Sequence, residues 1–76
     1  MSSMSIDRIV IDPKILAGHP IIKGTRIPIS LILNLLSHGY TFNKIIAEYP
    51  ELKIDDIKSA ILYAEERIKR EEIYPA

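Results

Sequence analysis

The chain has 76 residues, 47% of them hydrophobic and sixteen of them isoleucine, with ten basic side chains, ten acidic ones and a formal net charge of +0. That length makes one domain near the lower limit for a self-sufficient core, with apolar surface left over for a partner. Balanced charge gives no global pull toward nucleic acid or membranes, and the lack of cysteine excludes disulfides, thiolate zinc sites and cysteine nucleophiles.

Residues 1–7 read as a loose N-terminus. They lack the basic start and apolar run of a signal peptide. No apolar run approaches the ~20 residues needed to span a bilayer. The longest candidate, residues 29–36, is broken by Ser30 and Asn34. The expectation is a cytoplasmic protein with no membrane role.

Residues 8–28 read as a β element. Arg8-Ile9-Val10-Ile11-Asp12 is rich in β-branched side chains and closed by Asp-Pro. Ile21-Ile22-Lys23 and Arg26-Ile27-Pro28 flank Gly24-Thr25 as the arms of a hairpin. Gly24 allows the positive φ of a tight turn. Pro28 lacks an N–H, which suits a sheet edge or a first helical turn.

Residues 29–72 read as three helices. Ile29, Ile32, Leu33 and Leu36 share one helical face, and Gly39 stops the first helix. Thr41 is the N-cap of a second, in which Phe42, Ile45, Ile46 and Tyr49 repeat the spacing until Pro50 ends it. The third runs from about Ile54 to about Glu71, with Ile54, Ile57, Ile61, Ala64 and Ile68 as a core stripe. Asp55 and Asp56 suit its N-terminal dipole end, and Lys69 and Arg70 the other. Residues 73–76 form an apolar tail. The fold class is therefore α+β, mainly α: a short β-hairpin element on a three-helix bundle.

The short link between the last two helices resembles a helix-turn-helix. In that likeness Ala47 is the small residue at the crossing, and Ile46, Leu52, Ile57 and Ala60 are the buried positions. Glu51 stands where a turn glycine is more usual. A plain αα-hairpin has similar spacing.

Ile11-Asp12-Pro13, Gly18-His19-Pro20, Lys23-Gly24-Thr25-Arg26-Ile27-Pro28, Gly39-Tyr40-Thr41, Tyr49-Pro50-Glu51-Leu52 and Ala60-Ile61-Leu62-Tyr63-Ala64 together resemble the bacterial and archaeal family called domain of unknown function 433. Lys53 departs from the Thr that members usually carry, which weakens the N-cap of the third helix and leaves Asp55 to cap one turn late. The resemblance implies a winged or homeodomain-like helical module of antitoxin type. Such a protein blocks a toxin with a PIN-like ribonuclease domain, and the complex binds its own promoter.

The candidate contacts follow. Arg26 suits a phosphate or a partner carboxylate, although it could equally pin the hairpin to carbonyls, Asp7 or Asp12. With Lys44 and Lys58 it makes the candidate DNA-binding set, opposed by the acidic pair Asp55 and Asp56 beside Lys58. Leu31, Leu35 and Leu62 lie off the main stripes and are candidate partner contacts. Arg67, Arg70, Ile73 and Tyr74 near the C-terminus join them, because a cation beside apolar side chains suits a nuclease active site.

His19 and His38 lack metal-ligand spacing, and Ser30, Ser37 and Ser59 lack nucleophile-elbow glycines. No enzyme, metal or cofactor is expected. The leading expectation is a non-enzymatic, homodimeric antitoxin-like protein that binds a PIN-like nuclease and operator DNA. The alternative is a protein-interaction module with a degenerate helix-turn-helix and no DNA role.

Overall fold

The computed structural model of the chain describes residues 8–71. The order is β1 (Ile9–Val10), β2 (Ile21–Ile22), α1 (Ile29–Ser37), α2 (Phe42–Glu48) and α3 (Ile54–Glu71). The fold is mainly helical, with a two-stranded antiparallel sheet preceding three helices. The expected loose N-terminus (1–7), the end of the helical region at Glu72 and the tail (73–76) lie outside the described residues.

β1 pairs with β2 in the register Ile9 to Ile22 and Val10 to Ile21. The strand expected over residues 8–12 is thus shorter. Ile11 is exposed, and the Asp12 carboxylate turns back to accept the Lys14 N–H at 2.9 Å, as an Asx turn does. Between the strands, Leu16 and Ala17 hold φ of 50° and 55° and Gly18 a φ of 82°, a left-handed turn over Leu16–Gly18.

The expected hairpin of residues 21–28 is present as a turn with a single bridge between Ile21 and Pro28. Thr25 N–H donates to the Ile22 carbonyl at 3.0 Å, and Gly24 has φ +83° while Lys23 keeps a negative φ. That combination is a type II turn, whose third residue must tolerate the left-handed region. The Thr25 hydroxyl donates to the Ile22 carbonyl at 2.8 Å and accepts from Ile27 N–H at 3.0 Å. Pro28 then serves as both edge residue and N-cap of α1, with φ −75° and ψ 149°.

α1 ends as its sequence predicts. Gly39, at φ +89°, donates to the Leu36 carbonyl at 3.0 Å, and Tyr40 N–H donates to Leu35 at 3.1 Å. These two bonds are a Schellman motif. Thr41 Oγ1 caps α2 by accepting the Lys44 N–H at 3.1 Å.

The core is a cluster of Ile22, Ile27, Ile29, Ile32, Ile45, Leu52, Ile57 and Ala60. Two expectations about it are corrected. Ala47 is exposed and does not fill the helix crossing, because α2 turns Ile45 inward and Ile46 alongside it. The α3 stripe is not a core stripe along its length: Ile57 is fully buried, but Ile61 is 40% exposed and Ile68 60% exposed. α3 has 18 residues, about 27 Å of helix. Its inward face is centred on Asp56, Ile57, Ser59 and Ala60, so the 3–4 repeat drifts off the domain's own core beyond Ala60.

Candidate functional site

The N-terminus of α3 is anchored by a contact that spans most of the chain. Arg8 Nη1 donates to Asp56 Oδ1 at 2.9 Å, and Arg8 Nη2 lies 3.7 Å from Asp55 Oδ2. The second Asp56 oxygen accepts the Lys53 N–H at 2.9 Å. Lys53 is therefore the N-cap position, and the third helical residue reaches back to its N–H as in half of a capping box. Asp55 does not cap α3 one turn late, because the helix starts at Ile54 and Asp56 supplies the acceptor. Arg8 ties the start of the β element to α3.

An open groove of about 730 Å³ runs between the β element and the α2–α3 turn. Ile11, Asp12, Pro13, Gly24, Thr25, Arg26 and Glu51 line it, so two quoted sequence motifs, residues 11–13 and 23–28, meet there. Most residues of the second motif serve the fold. Gly24 and Thr25 form the turn, Ile27 is buried, and Pro28 starts α1. Arg26 is exposed, and among the described residues it makes no hydrogen bond or ion pair.

The other basic candidates lie on separate features. Lys44 is exposed on α2 and rests on the Tyr40 ring, 4.7 Å from its centroid. Lys58 is exposed on α3 and borders a shallow hollow with Ile61, Leu62 and Glu65. Arg8 compensates the acidic pair beside Lys58, so the start of α3 is less hostile to phosphate than the sequence implies.

Leu31 and Leu35 are half-buried and pack on the core; Leu62 is half-buried on α3. Arg67 sits 6.0 Å from the Tyr63 ring centroid and lines an apolar hollow with Pro20, Leu33 and Ile68. Arg70 is exposed, whereas Ile73 and Tyr74 lie outside the described residues. His38 Nδ1 lies 2.8 Å from the Asn34 carbonyl at the end of α1. Among the described residues, no group of three or more His, Asp or Glu side chains converges to hold a metal ion. No helix there is long and apolar enough to cross a membrane.

The sequence reading missed two features. Asp56 carried a usable signal, since an acid three residues after a cap position is a capping-box residue. Its partner Arg8, 48 positions away, had none. The exposed Ile61 and Ile68 were legible as a 3–4 repeat, but a repeat does not say which chain covers it.

Comparison with known proteins places this arrangement. A crystal structure of a DUF433 member from Anabaena variabilis superposes with a TM-score of 0.73 at 33% identity, covering 84% of this chain and 66% of that one. The uncharacterized protein y4eO of Sinorhizobium fredii is 32% identical over 53 residues, which is 70% of this chain and 24% of that protein, so the chain spans about a quarter of its relative's length. The family described as "Protein of unknown function (DUF433)" matches residues 9–64, and the chain belongs to that family.

Proposed function

We propose that this protein is a non-enzymatic, antitoxin-like binding protein that engages an acidic protein partner, a PIN-like nuclease, through the groove beside Arg26. One observation carries the reading. In the motif of residues 23–28 the glycine, threonine, isoleucine and proline each serve the fold, while Arg26 is exposed at a groove without an ion pair among the described residues. A rigid turn holding a guanidinium that has no ion pair among the described residues, next to exposed Ile11, suits bidentate contact with carboxylates that would otherwise hold a metal ion.

The geometry favours the protein-partner half of the reading over its DNA half. Arg26, Lys44 and Lys58 lie on three separate features, and the outward side of α3 carries exposed isoleucine where a major-groove reader needs polar side chains. This supports the alternative reading of an interaction module that does not use α3 as a recognition helix.

The test is co-expression with a neighbouring PIN-like protein. Wild type is expected to co-purify with it and silence its nuclease. Arg26→Gln is expected to weaken the complex by about tenfold or more while leaving the circular dichroism melt unchanged. Equal inhibition by wild type and Arg26→Gln would overturn the assignment. A salt-sensitive gel shift of the upstream DNA, lost on changing Lys44 and Lys58, would restore the DNA role.

A further inference from the structure

Two opposite charges border the groove beside Arg26 without meeting. Arg26 and Glu51 both line it, yet among the described residues neither side chain makes a hydrogen bond or an ion pair. Each is placed by a turn that leaves its backbone little freedom. Arg26 follows the type II turn of residues 22–25 and precedes the buried Ile27. Glu51 is the third residue of a β-turn closed by the Leu52 N–H on the Tyr49 carbonyl at 2.9 Å. Pro50 fixes φ at the second position of that turn, and Leu52, 2% exposed, anchors its end in the core.

The rest of the lining separates these two charges from the others. Asp12 reaches the same groove, but its carboxylate already accepts the Lys14 N–H at 2.9 Å. Val10, Ile15, Ile21 and Ile27 give the groove an apolar lining, and Ile11 stands exposed beside them. The site therefore offers one cation, one exposed acid and apolar surface, each fixed in place before anything binds.

We propose that the groove takes a partner segment of mixed charge, with an acid for Arg26, a base for Glu51 and an apolar side chain over the lining. This rests on the reading of the groove as a partner site and adds what the partner must present there. A guanidinium only donates and a carboxylate only accepts, so one occupant satisfies both only by carrying both kinds of group. A wholly acidic surface would pair with Arg26 and at the same time set its carboxylates against Glu51 and Asp12. Like charges facing each other across an interface cost affinity and reject wrong partners. Nucleic acid is disfavoured on the same ground, since a phosphate backbone brings no cation for Glu51. Glu51 thus acts as a specificity-determining residue, and Arg26 as the anchor.

The experiment measures the dissociation constant between the purified chain and the neighbouring PIN-like protein by calorimetry. Glu51→Gln is expected to weaken binding by about two- to threefold, and Glu51→Lys by about tenfold. A partner surface that is acidic throughout predicts the opposite sign, because Glu51→Lys would give it a second cation to meet. Reversing the charge of the partner's lysines and arginines one at a time is expected to find one that weakens binding to wild type and restores binding to Glu51→Lys. Glu51 is exposed, so circular dichroism melts of both variants should match wild type. If Arg26→Gln weakens the complex while Glu51→Lys leaves it unchanged or tightens it, this inference is overturned and the nuclease reading stands. If no charge reversal in the partner restores binding to Glu51→Lys, the inference is overturned as well. Equal binding by Arg26→Gln and wild type overturns the nuclease reading, and this inference with it.

Discussion

The carboxylate of Asp56 accepts from two groups far apart in the chain: the Lys53 N–H at 2.9 Å and Arg8 Nη1 at 2.9 Å, 48 residues away. Its side chain is only 8% exposed, whereas Asp55, 3.7 Å from the same guanidinium, is 44% exposed. Burial separates the two acids energetically although they are neighbours in sequence. Asp56→Ala removes a cap acceptor and the ion-pair partner and is expected to destabilise the fold by about 1–2 kcal/mol. Arg8→Ala leaves the buried carboxylate with one bond and is expected to cost about the same. The double variant should lose less than the sum of the two, because both singles break one pair. Asp55→Ala should stay within about 0.5 kcal/mol, as solvent-exposed pairs do. Urea denaturation of the four proteins is the measurement, and equal losses for Asp55→Ala and Asp56→Ala would contradict this division. From sequence, the acidic pair reads as dipole-favouring residues; the difference between them depends on Arg8, and no local pattern points to it.

At the scale of elements, boundaries set by local chemistry were legible and long-range pairing was not. The Gly39 stop, the Thr41 cap and the start of α3 follow from short-range hydrogen bonding, and each stands where the residues place it. The pairing of β1 with β2 crosses ten intervening residues, including the left-handed run at Leu16 and Ala17, which neither residue type advertises. Residues 8–12 therefore read as a full strand when only Ile9–Val10 is one. The groove at Arg26 was half legible: its motif stood out, but the contribution of Asp12 and Glu51 to its lining required the fold. The helix stop offers a clean check. A Cβ at Gly39 would meet nothing within 4 Å, so Gly39→Ala carries only the backbone cost of a left-handed alanine, about 1–2 kcal/mol. That corresponds to a melting temperature lower by roughly 5–15 °C for a domain of this size. Gly24→Ala, also at positive φ in open space, should fall in the same range; no change in either melt would mean that the backbone adapts at these turns.

At the scale of the whole molecule, the long third helix is where stability and self-association can be tested together. Its first two turns bury Asp56, Ile57, Ser59 and Ala60 against the domain, while from the third turn Ile61 and Ile68 are exposed. In a chain of this length the apolar surface is not all needed for the monomer's core, and self-association through it would link folding to concentration by mass action. The melting temperature of wild type is expected to rise with protein concentration between about 1 and 100 μM, as it does when only the folded chain dimerises. Deleting residues 67–76 separates the two roles of α3. The deletion removes the exposed Ile68, the Arg67–Tyr63 contact and the surface pair of Lys69 with Glu65, but no residue of the buried cluster. At low concentration the truncated chain is expected to melt within about 5 °C of wild type. If the exposed end of α3 is where copies meet, its melt should no longer depend on concentration, because one of the two exposed isoleucines of α3 is gone. A truncated chain that unfolds would show that the end of α3 supports the core after all. One that keeps the concentration dependence would show that the copies meet elsewhere, with the outer edge of β1 the next surface to probe.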